Sequence, residues 1–372
     1  MNFKVPSVRR VSWVAVLVVV MVVVAVGAGL PSSTAERARD PGAQVAGSRT
    51  ATTGVCTLTP GHFLASIDTM KESMDTDAYP LTPAQIADDV NLAAKLNTNY
   101  VTVDTHWDYP AYMQEWVDAV RNAGKRVWFR IHPNAWEGNN GVPARLTPSE
   151  YLTEEAAFIK ANPQLFEAGD ILDMNPEPED SPYWPNTYGQ NWTSNTTAIK
   201  EYNKFFVAVS ATASRTLASL GIKGVITTVR STNSWFAENP SALFPATVDH
   251  MHRVTIDSYP DENDTTPVAA VTDRLKEVSA IESARPGVPI VLGEFGYSNA
   301  MNVDGALQAS VVGAELQAIQ SNPCIQGLNY WVGAGDAESG GYTHLFSGTT
   351  GVWKPRPAAQ ALAVYFAHEG TA

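Results

Sequence analysis

Glu177 and Glu294 are the residues in this chain best placed for paired carboxylate chemistry. Glu177 lies in Asn175-Pro176-Glu177-Pro178-Glu179, and Glu294 lies in Val291-Leu292-Gly293-Glu294-Phe295-Gly296. Two carboxyl groups flanking a bond can divide the work. One stays ionised and attacks carbon; the other is kept protonated by its surroundings and delivers a proton to the leaving oxygen. Cleavage of a glycosidic bond requires such a pair. A single glutamate after a strand more commonly caps a helix or joins an ion pair. Two, each at the end of its own strand, shift the reading to catalysis. Glu179 competes with Glu177 for the proton-donor role, and Gly293 and Gly296 would let the backbone bend tightly around Glu294.

These residues can meet only if the elements before them bring them together. Short runs rich in β-branched and aromatic residues predict strands at 62–68, 99–105, 126–132, 170–175, 222–229, 252–258, 288–294 and 325–331. Helical patterns fall between them at 83–97, 112–123, 148–161, 197–219, 268–284, 304–321 and 357–368, with a short candidate at 240–247. Thr82-Pro83-Ala84-Gln85 and Thr147-Pro148-Ser149-Glu150 each set a threonine cap, a proline at the first helical position and a Gln or Glu three after the cap. Gly124 and Gly221 follow helical runs, where a left-handed residue is needed. Repeated strand–helix units of this number predict an α/β fold, a single (β/α)8 TIM barrel spanning 55–372. A doubly wound open sheet is the alternative, but no glycine-rich phosphate loop follows the first strand.

In a barrel the loops after the strands carry function. The predicted strands end in Asp68, Asp104-Thr105-His106-Trp107, Arg130-Ile131-His132, Asn175 to Glu179, Arg230, Asp257-Ser258-Tyr259, Glu294 and Asn329-Tyr330-Trp331. The fourth and seventh strands face each other across the mouth, so Glu177 and Glu294 can share a cavity. Arg130 and His132 alternate onto one side of the third strand, where they orient the nucleophile, line a subsite, or form a satisfied polar layer. His106 and Asn134 have the same alternatives. Asp68 and Asp257 read as braces for neighbouring loops. Trp107, Trp136, Trp184, Trp192, Trp235 and Trp331 fall in or at the start of post-strand loops, where flat rings can pack on pyranose faces; some are expected to be loop-core anchors instead. Residues 180–196, rich in Tyr, Trp and Asn, are expected to wall the cleft.

With these motifs in place, the chain resembles the clan A retaining glycoside hydrolases and is similar to families 5, 39 and 113. Members carry an acid/base Glu after strand four, typically in Asn-Glu-Pro, and a nucleophile Glu at the end of strand seven. Pro176-Glu177-Pro178-Glu179 overlays that motif, except that Pro176 precedes the glutamate and Asn175 comes one step earlier. The resemblance implies Glu177 as acid/base, Glu294 as nucleophile and Asn175 as a contact to the sugar. It also implies Tyr259 as a hydroxyl holding the nucleophile, Trp331 as the floor of the sugar subsite, and no cofactor. The activity implied is hydrolysis of a β-linked poly- or oligosaccharide. The alternative is a carbohydrate-binding barrel whose carboxylate pair is idle.

Composition excludes several classes. The chain has 372 residues, 44% hydrophobic and 17% charged, which is neither disordered nor fibrous. Its formal net charge of −13 argues against a nucleic-acid partner. A metal site reads as weak: His250-Met251-His252 has ligand spacing but stands before a strand, at the end opposite the mouth. Lys4, Arg9 and Arg10 precede an apolar run, so residues 1–30 read as a signal peptide or an uncleaved membrane anchor. Residues 31–54 read as a flexible linker. A secreted monomer follows, with membrane association only if the signal is retained. Asn191, Asn195 and Asn263 stand in glycosylation sequons. An exported chain meets an oxidising compartment, and Cys56 and Cys324 both fall at the closing seam of a barrel, so a disulfide is expected between them.

Overall fold

Eight parallel strands close on themselves in sequence order, β1 pairing with β2 and β8. They are β1 Leu64–Asp68, β2 Tyr100–Val103, β3 Arg126–Arg130, β4 Ile171–Pro176, β5 Ile226–Ser231, β6 Val254–Ser258, β7 Ile290–Phe295 and β8 Ile325–Tyr330. The computed structural model describes Cys56 and residues 63–74, 80–139, 141–231, 253–260, 265–297, 305–334, 343–349 and 352–369. All of these lie in one compact unit, Ala51–Ala372. The targeting segment, the linker, the 240–247 helix candidate, Trp235, His250, His252 and Asn263 lie outside the described residues.

The helices follow the sequence signals closely. Pro83–Ala94 and Pro148–Ala161 each begin in a complete capping box, with Thr82 paired to Gln85 and Thr147 to Glu150. Pro110–Asn122, Thr196–Ser219, Pro267–Ala284, Ala306–Gln320 and Pro357–Glu369 complete the outer ring among the described residues. Gly124 and Gly221 both take positive φ after their helices. The fifth strand starts later than expected, at Ile226. Gly224 has φ +79° and keeps the preceding segment in a turn, which carries the strand forward to include Arg230.

Alternation along the strands sorts the barrel interior into levels. At the bottom Leu64, Tyr100, Trp128, Ile171 and Val291 pack into an apolar plug, with Ile226 against it. Above it Ser66, Thr102 and Asn329 hydrogen-bond across the interior, and Thr228 pairs with Thr255. Further along the strands come Asp68, Arg130, Asp173, Arg230 and Asp257, all buried. The polarity therefore rises toward the C-terminal mouth. Gly327 belongs to the seam: a Cβ there would stand 2.5 Å from the Leu64 Cβ, so the close approach of β1 and β8 needs glycine.

Cys56 and Cys324 form the expected disulfide, with Cα atoms 4.9 Å apart. Cys324 immediately precedes β8, and its carbonyl accepts from Ile290 N–H at 2.7 Å. The bond joins the segment before β1 to the turn before β8 and closes a loop of 268 residues. In the chain-entropy treatment a loop beyond ~100 residues contributes up to about 4–5 kcal/mol. The double variant Cys56→Ala/Cys324→Ala should lower the urea midpoint accordingly. An unchanged midpoint would remove the disulfide from the stability of the seam.

Candidate active site

Glu294 is the most heavily held residue at the mouth. Its Oε1 makes an ion pair with Arg130 Nη2 and lies 3.2 Å from Arg230 Nη1. Its Oε2 accepts from the Tyr259 hydroxyl at 2.7 Å. Burial alone would raise its pKa. Arg130 and then Arg230, with the tyrosine hydroxyl, more than reverse that and hold the carboxyl below its ordinary range. Glu294 is therefore ionised and aimed, the state a nucleophile needs.

Glu177 meets it from the opposite side. Three carboxyl groups, Glu177, Asp257 and Glu294, bring one oxygen each within 4.8 Å of the others. Local backbone geometry produces this. The β4–β5 register shifts between Asp173 and Pro176, and Glu177 itself takes a left-handed φ of 54°. A bulge re-aims side chains, and a non-glycine residue in that region stores strain of order 1–3 kcal/mol, a pattern typical of functional sites. The Glu177 N–H is satisfied by the Arg230 carbonyl at 3.0 Å. Glu177 has the opposite pKa tendency to Glu294. Burial raises it first and the Glu294 charge raises it further, against the pull of Arg130 and Arg230. One carboxyl is thus pushed toward the acid form and its neighbour toward the anion.

Glu179 is engaged elsewhere. It is buried, its two oxygens accepting from Tyr202 Oη at 2.5 Å and Ser231 Oγ at 2.7 Å. It ties the loop after β4 to the Thr196–Ser219 helix and to the end of β5.

Arg130 reaches three of the carboxyl groups at the mouth. Its Nη1 donates to Asp104 Oδ2 at 2.8 Å and its Nη2 lies 3.4 Å from Glu177 Oε2, besides its pair with Glu294. Asn175 is buried, and neither amide atom of its side chain has a partner among the described residues. A buried amide without a partner calls for an explanation, and a ligand hydrogen bond would be one. Trp331 is half-buried, its ring edge-on to Tyr259 at 6.2 Å and its Nε1 3.1 Å from Met70 Sδ. It stands beside Tyr259, the hydrogen-bond partner of Glu294.

Four expected site residues are not at the surface of the cleft. Trp107 is buried, stacked on Phe158 at 5.4 Å and packed against Tyr151. Trp136 is fully buried among Tyr151 and Phe205. Both are core anchors, because large apolar rings are drawn under the loops that carry them. His132 is buried with Nδ1 3.0 Å from the Pro133 carbonyl, and burial pushes it down to about 4. It is neutral and packs edge-on to His106 at 4.7 Å, whose Nδ1 in turn lies 3.3 Å from the His132 carbonyl. The two histidines form a buried edge-on pair after β2 and β3. Asn134 is likewise fully buried. In the 180–196 insertion, Trp184 and Trp192 stack on each other at 5.4 Å and both lie in the core. That segment buries its two tryptophans and leaves Tyr183 and Tyr188 partly exposed.

Arg230 and Asp257 are the contributors whose weight the sequence understated. Arg230 crosses from β5 to place Nη1 3.0 Å from Asp257 Oδ1 and 3.2 Å from the Gly293 carbonyl, with Nε 3.6 Å from Asp173 Oδ2. Gly293 has a different purpose from tight bending. A Cβ there would meet Arg230 Cδ at 2.2 Å, so glycine makes the room that the guanidinium needs. At Gly296 a Cβ would meet the Trp331 carbonyl at 2.7 Å. Asp68 is a brace, as expected, accepting from Met70 N–H at 2.7 Å and Asn329 Nδ2 at 2.8 Å.

No family model matches the chain, and no curated protein sequence does. Solved structures do. The GH5_18 protein of Streptomyces cattleya, in complex with GlcNAc, superposes with TM-score 0.61 at 13% identity, over 84% of this chain and 82% of its own. A GH5-4 broad specificity endoglucanase from Clostridium longisporum gives 0.55 at 15% identity, over 84% and 99%. An endo-β-1,4-glucanase from Xanthomonas axonopodis pv. citri gives 0.54 at 13%, over 83% and 100%. The chain is thus a (β/α)8 barrel of the kind built by GH5 glycoside hydrolases, in agreement with the resemblance in its motifs.

Gly293→Ala should force Arg230 from its place and cost about 1–3 kcal/mol, the range for overpacking. The same substitution in an Arg230→Ala background should cost far less, since the colliding atoms are gone. Chemical denaturation of the four proteins in that cycle measures the difference. Equal costs in both backgrounds would refute the assigned purpose of Gly293.

Proposed function

We propose that this chain is a secreted retaining glycoside hydrolase that cleaves a β-linked poly- or oligosaccharide by double displacement. The observation that carries the reading is that one carboxyl oxygen of Glu177 and one of Glu294 lie within 4.8 Å of each other, a close approach that favours the shorter of two known spacings. Retaining enzymes keep their carboxyl groups about 5–5.5 Å apart; inverting ones leave about 6.5–9.5 Å for a water. Glu294 attacks the anomeric carbon while Glu177 gives its proton to the leaving oxygen. Glu177 then takes a proton from the incoming water as the glycosyl–Glu294 bond breaks. Asn175 offers its unpaired amide to a sugar hydroxyl, and Trp331 with Tyr259 shapes the ring subsite. The β linkage rests on the neighbours, named as endo-β-1,4-glucanases or solved with Manβ1-4GlcNAc. Secretion rests on the basic-then-apolar N-terminus and the disulfide, and no described helix is long and apolar enough to cross a membrane.

Three converging carboxyl groups are also a donor set for a cation. Here Arg130 and Arg230 already contact Glu294, and their fixed positive charge opposes a second cation beside it. Activity should therefore survive exhaustive chelation; loss restored by a divalent metal would replace double displacement with metal-assisted hydrolysis.

The two glutamates should separate kinetically. Glu294→Ala should abolish turnover of every glycoside. Glu177→Ala should lose about 10²–10⁴-fold on natural glycans, which need proton delivery, but retain the first step on aryl glycosides with good leaving groups. Azide should restore its turnover on those activated substrates and yield a glycosyl azide of retained configuration. Equal losses on both substrate types, with no azide effect, would remove Glu177 from the acid role. A chain that binds glycans, yet releases no reducing ends from any of them, would be a carbohydrate-binding barrel.

A further inference from the structure

Glu294 and the hydroxyl that holds it come from different strands, and the pairing of those strands is irregular beside them. β6 and β7 run in step up to Ile256 opposite Leu292, but the next pair is Asp257 opposite Glu294, which leaves Gly293 as an extra residue on β7. The last pair is Ser258 opposite Phe295. Tyr259 follows that pair directly, and its hydroxyl reaches back to Glu294 Oε2 at 2.7 Å. A bulge and a strand end are where pairing fixes the backbone least, so this contact needs a further restraint.

Arg274, on the helix Pro267–Ala284, supplies one. It is buried, and its Nη1 donates to the Ser258 carbonyl at 2.5 Å while its Nη2 donates to the Gly296 carbonyl at 3.2 Å. Ser258 immediately precedes Tyr259, and Gly296 lies just past Glu294 and Phe295. One planar guanidinium thus bridges the ends of β6 and β7 where their own pairing stops, and it satisfies carbonyls that would be costly to leave unpaired. Its central carbon lies 4.3 Å from the centre of the Phe295 ring, which alternation sets on the opposite side of β7 from Glu294. Arg274 is fixed in turn by Glu315 of the helix Ala306–Gln320, whose Oε1 accepts from Nε at 2.8 Å. Glu277, one turn along from Arg274, accepts from Ser258 Oγ at 2.5 Å. The same helix therefore grips Ser258 by main chain and side chain together.

We propose that Arg274 is a positioning residue for the nucleophile: its guanidinium staples the end of β6 to the end of β7 and so keeps the Tyr259 hydroxyl on Glu294. The inference rests on the nucleophile reading of Glu294. Arg274 moves no proton and acts through Tyr259, whose hydrogen bond joins Arg130 and Arg230 in holding Glu294 ionised. Without the bridge the two strand ends can part, the hydroxyl leaves Glu294, and the carboxylate is easier to protonate and less well aimed. The groups facing Glu294 are Arg130, Arg230, Asp257, Tyr259, Glu177 and Asp68. Those facing Arg274 are Glu277 and Glu315, with the Tyr330 hydroxyl within electrostatic reach. The two sets share no member, so a change at Glu294 on removing Arg274 travels through the strand ends.

The test follows the acid limb of kcat/KM on an activated aryl glycoside, which reports protonation of Glu294 and does not depend on how much of the protein is folded. A hydrogen bond to the ionised form lowers a carboxyl pKa, so losing it moves that limb up. Arg274→Met should shift it up by about 0.5–1 pH unit. Its kcat should fall about 10–10²-fold with KM little changed, as for a misplaced reacting group. Tyr259→Phe should shift the limb in the same direction, and adding Arg274→Met to Tyr259→Phe should shift it no further. An unmoved limb in Arg274→Met, with only a lower urea midpoint, makes Arg274 a structural ion-pair residue and overturns the proposal. Shifts that add in full in the double variant overturn it too, since Arg274 would then act by a route other than Tyr259. Should Arg274→Met fail to fold because Glu315 is left unpaired, Arg274→Met/Glu315→Leu replaces the whole buried pair by apolar side chains and goes through the same cycle. A wild type inert on every glycoside sinks the hydrolase reading and this inference together. An active wild type whose limb does not move on removing Arg274 sinks this inference only.

Discussion

Two guanidinium groups buried among carboxyls at the barrel mouth set the electrostatics of the whole site. Burying a cation is costly unless it is paired and hydrogen-bonded, and Arg130 and Arg230 are held almost entirely by acidic side chains. Those carboxyls are not equivalent. Glu294 is reached by both cations and by the Tyr259 hydroxyl, so it keeps its charge. The others are driven by burial toward the neutral form, with Asp173 raised to about 7 and Asp104 and Asp257 raised well above the ordinary range. One ionised carboxyl amid neutral ones is the division that nucleophile and acid require. It arises from which oxygens the guanidinium atoms can reach.

The barrel makes that reach possible. Strand alternation directs every second residue inward, so an apolar plug, a hydroxyl and amide level and a charged level stack in order toward the mouth. The plug keeps water from the underside of the charges and strengthens their interaction. Register shifts lie between Asp173 and Pro176, and between Ile256 and Asp257, next to the residues that must turn toward each other. Glycine at 293 leaves the space through which Arg230 crosses. Without these departures from regular pairing, Glu177, Asp257 and Glu294 would follow the strict alternation of their strands and could not converge.

Tryptophan shows how far residue type can mislead. Trp107, Trp136, Trp184 and Trp192 stand in post-strand loops, as subsite residues would, yet they pack on Tyr151, Tyr202, Phe158 and Phe205. Long loops after barrel strands need a core of their own, and large rings satisfy that need by burial. Trp331 differs because it follows β8 directly and is only partly buried, beside Tyr259 and Met70 with Lys71 Nζ over its ring. The same reasoning explains the buried, edge-on pair of His106 and His132, in which burial keeps His132 neutral.

By itself the sequence determined the repeating strand–helix order, the helix starts at Thr82 and Thr147, the disulfide pairing and the placement of Glu177 and Glu294 at strand ends. These follow from local signals: period, caps, and the topology that a closed barrel imposes on any residue after its strands. Only the tertiary structure sets Glu177 apart from Glu179, because the two differ in backbone φ and in partners that lie far away in the chain, Arg130 for Glu177 and Tyr202 and Ser231 for Glu179. It likewise decided that Arg230 belongs to the site and that Gly293 serves it. Such contacts bring residues from different strands within hydrogen-bond distance, and no local pattern records the direction in which a long side chain crosses the interior.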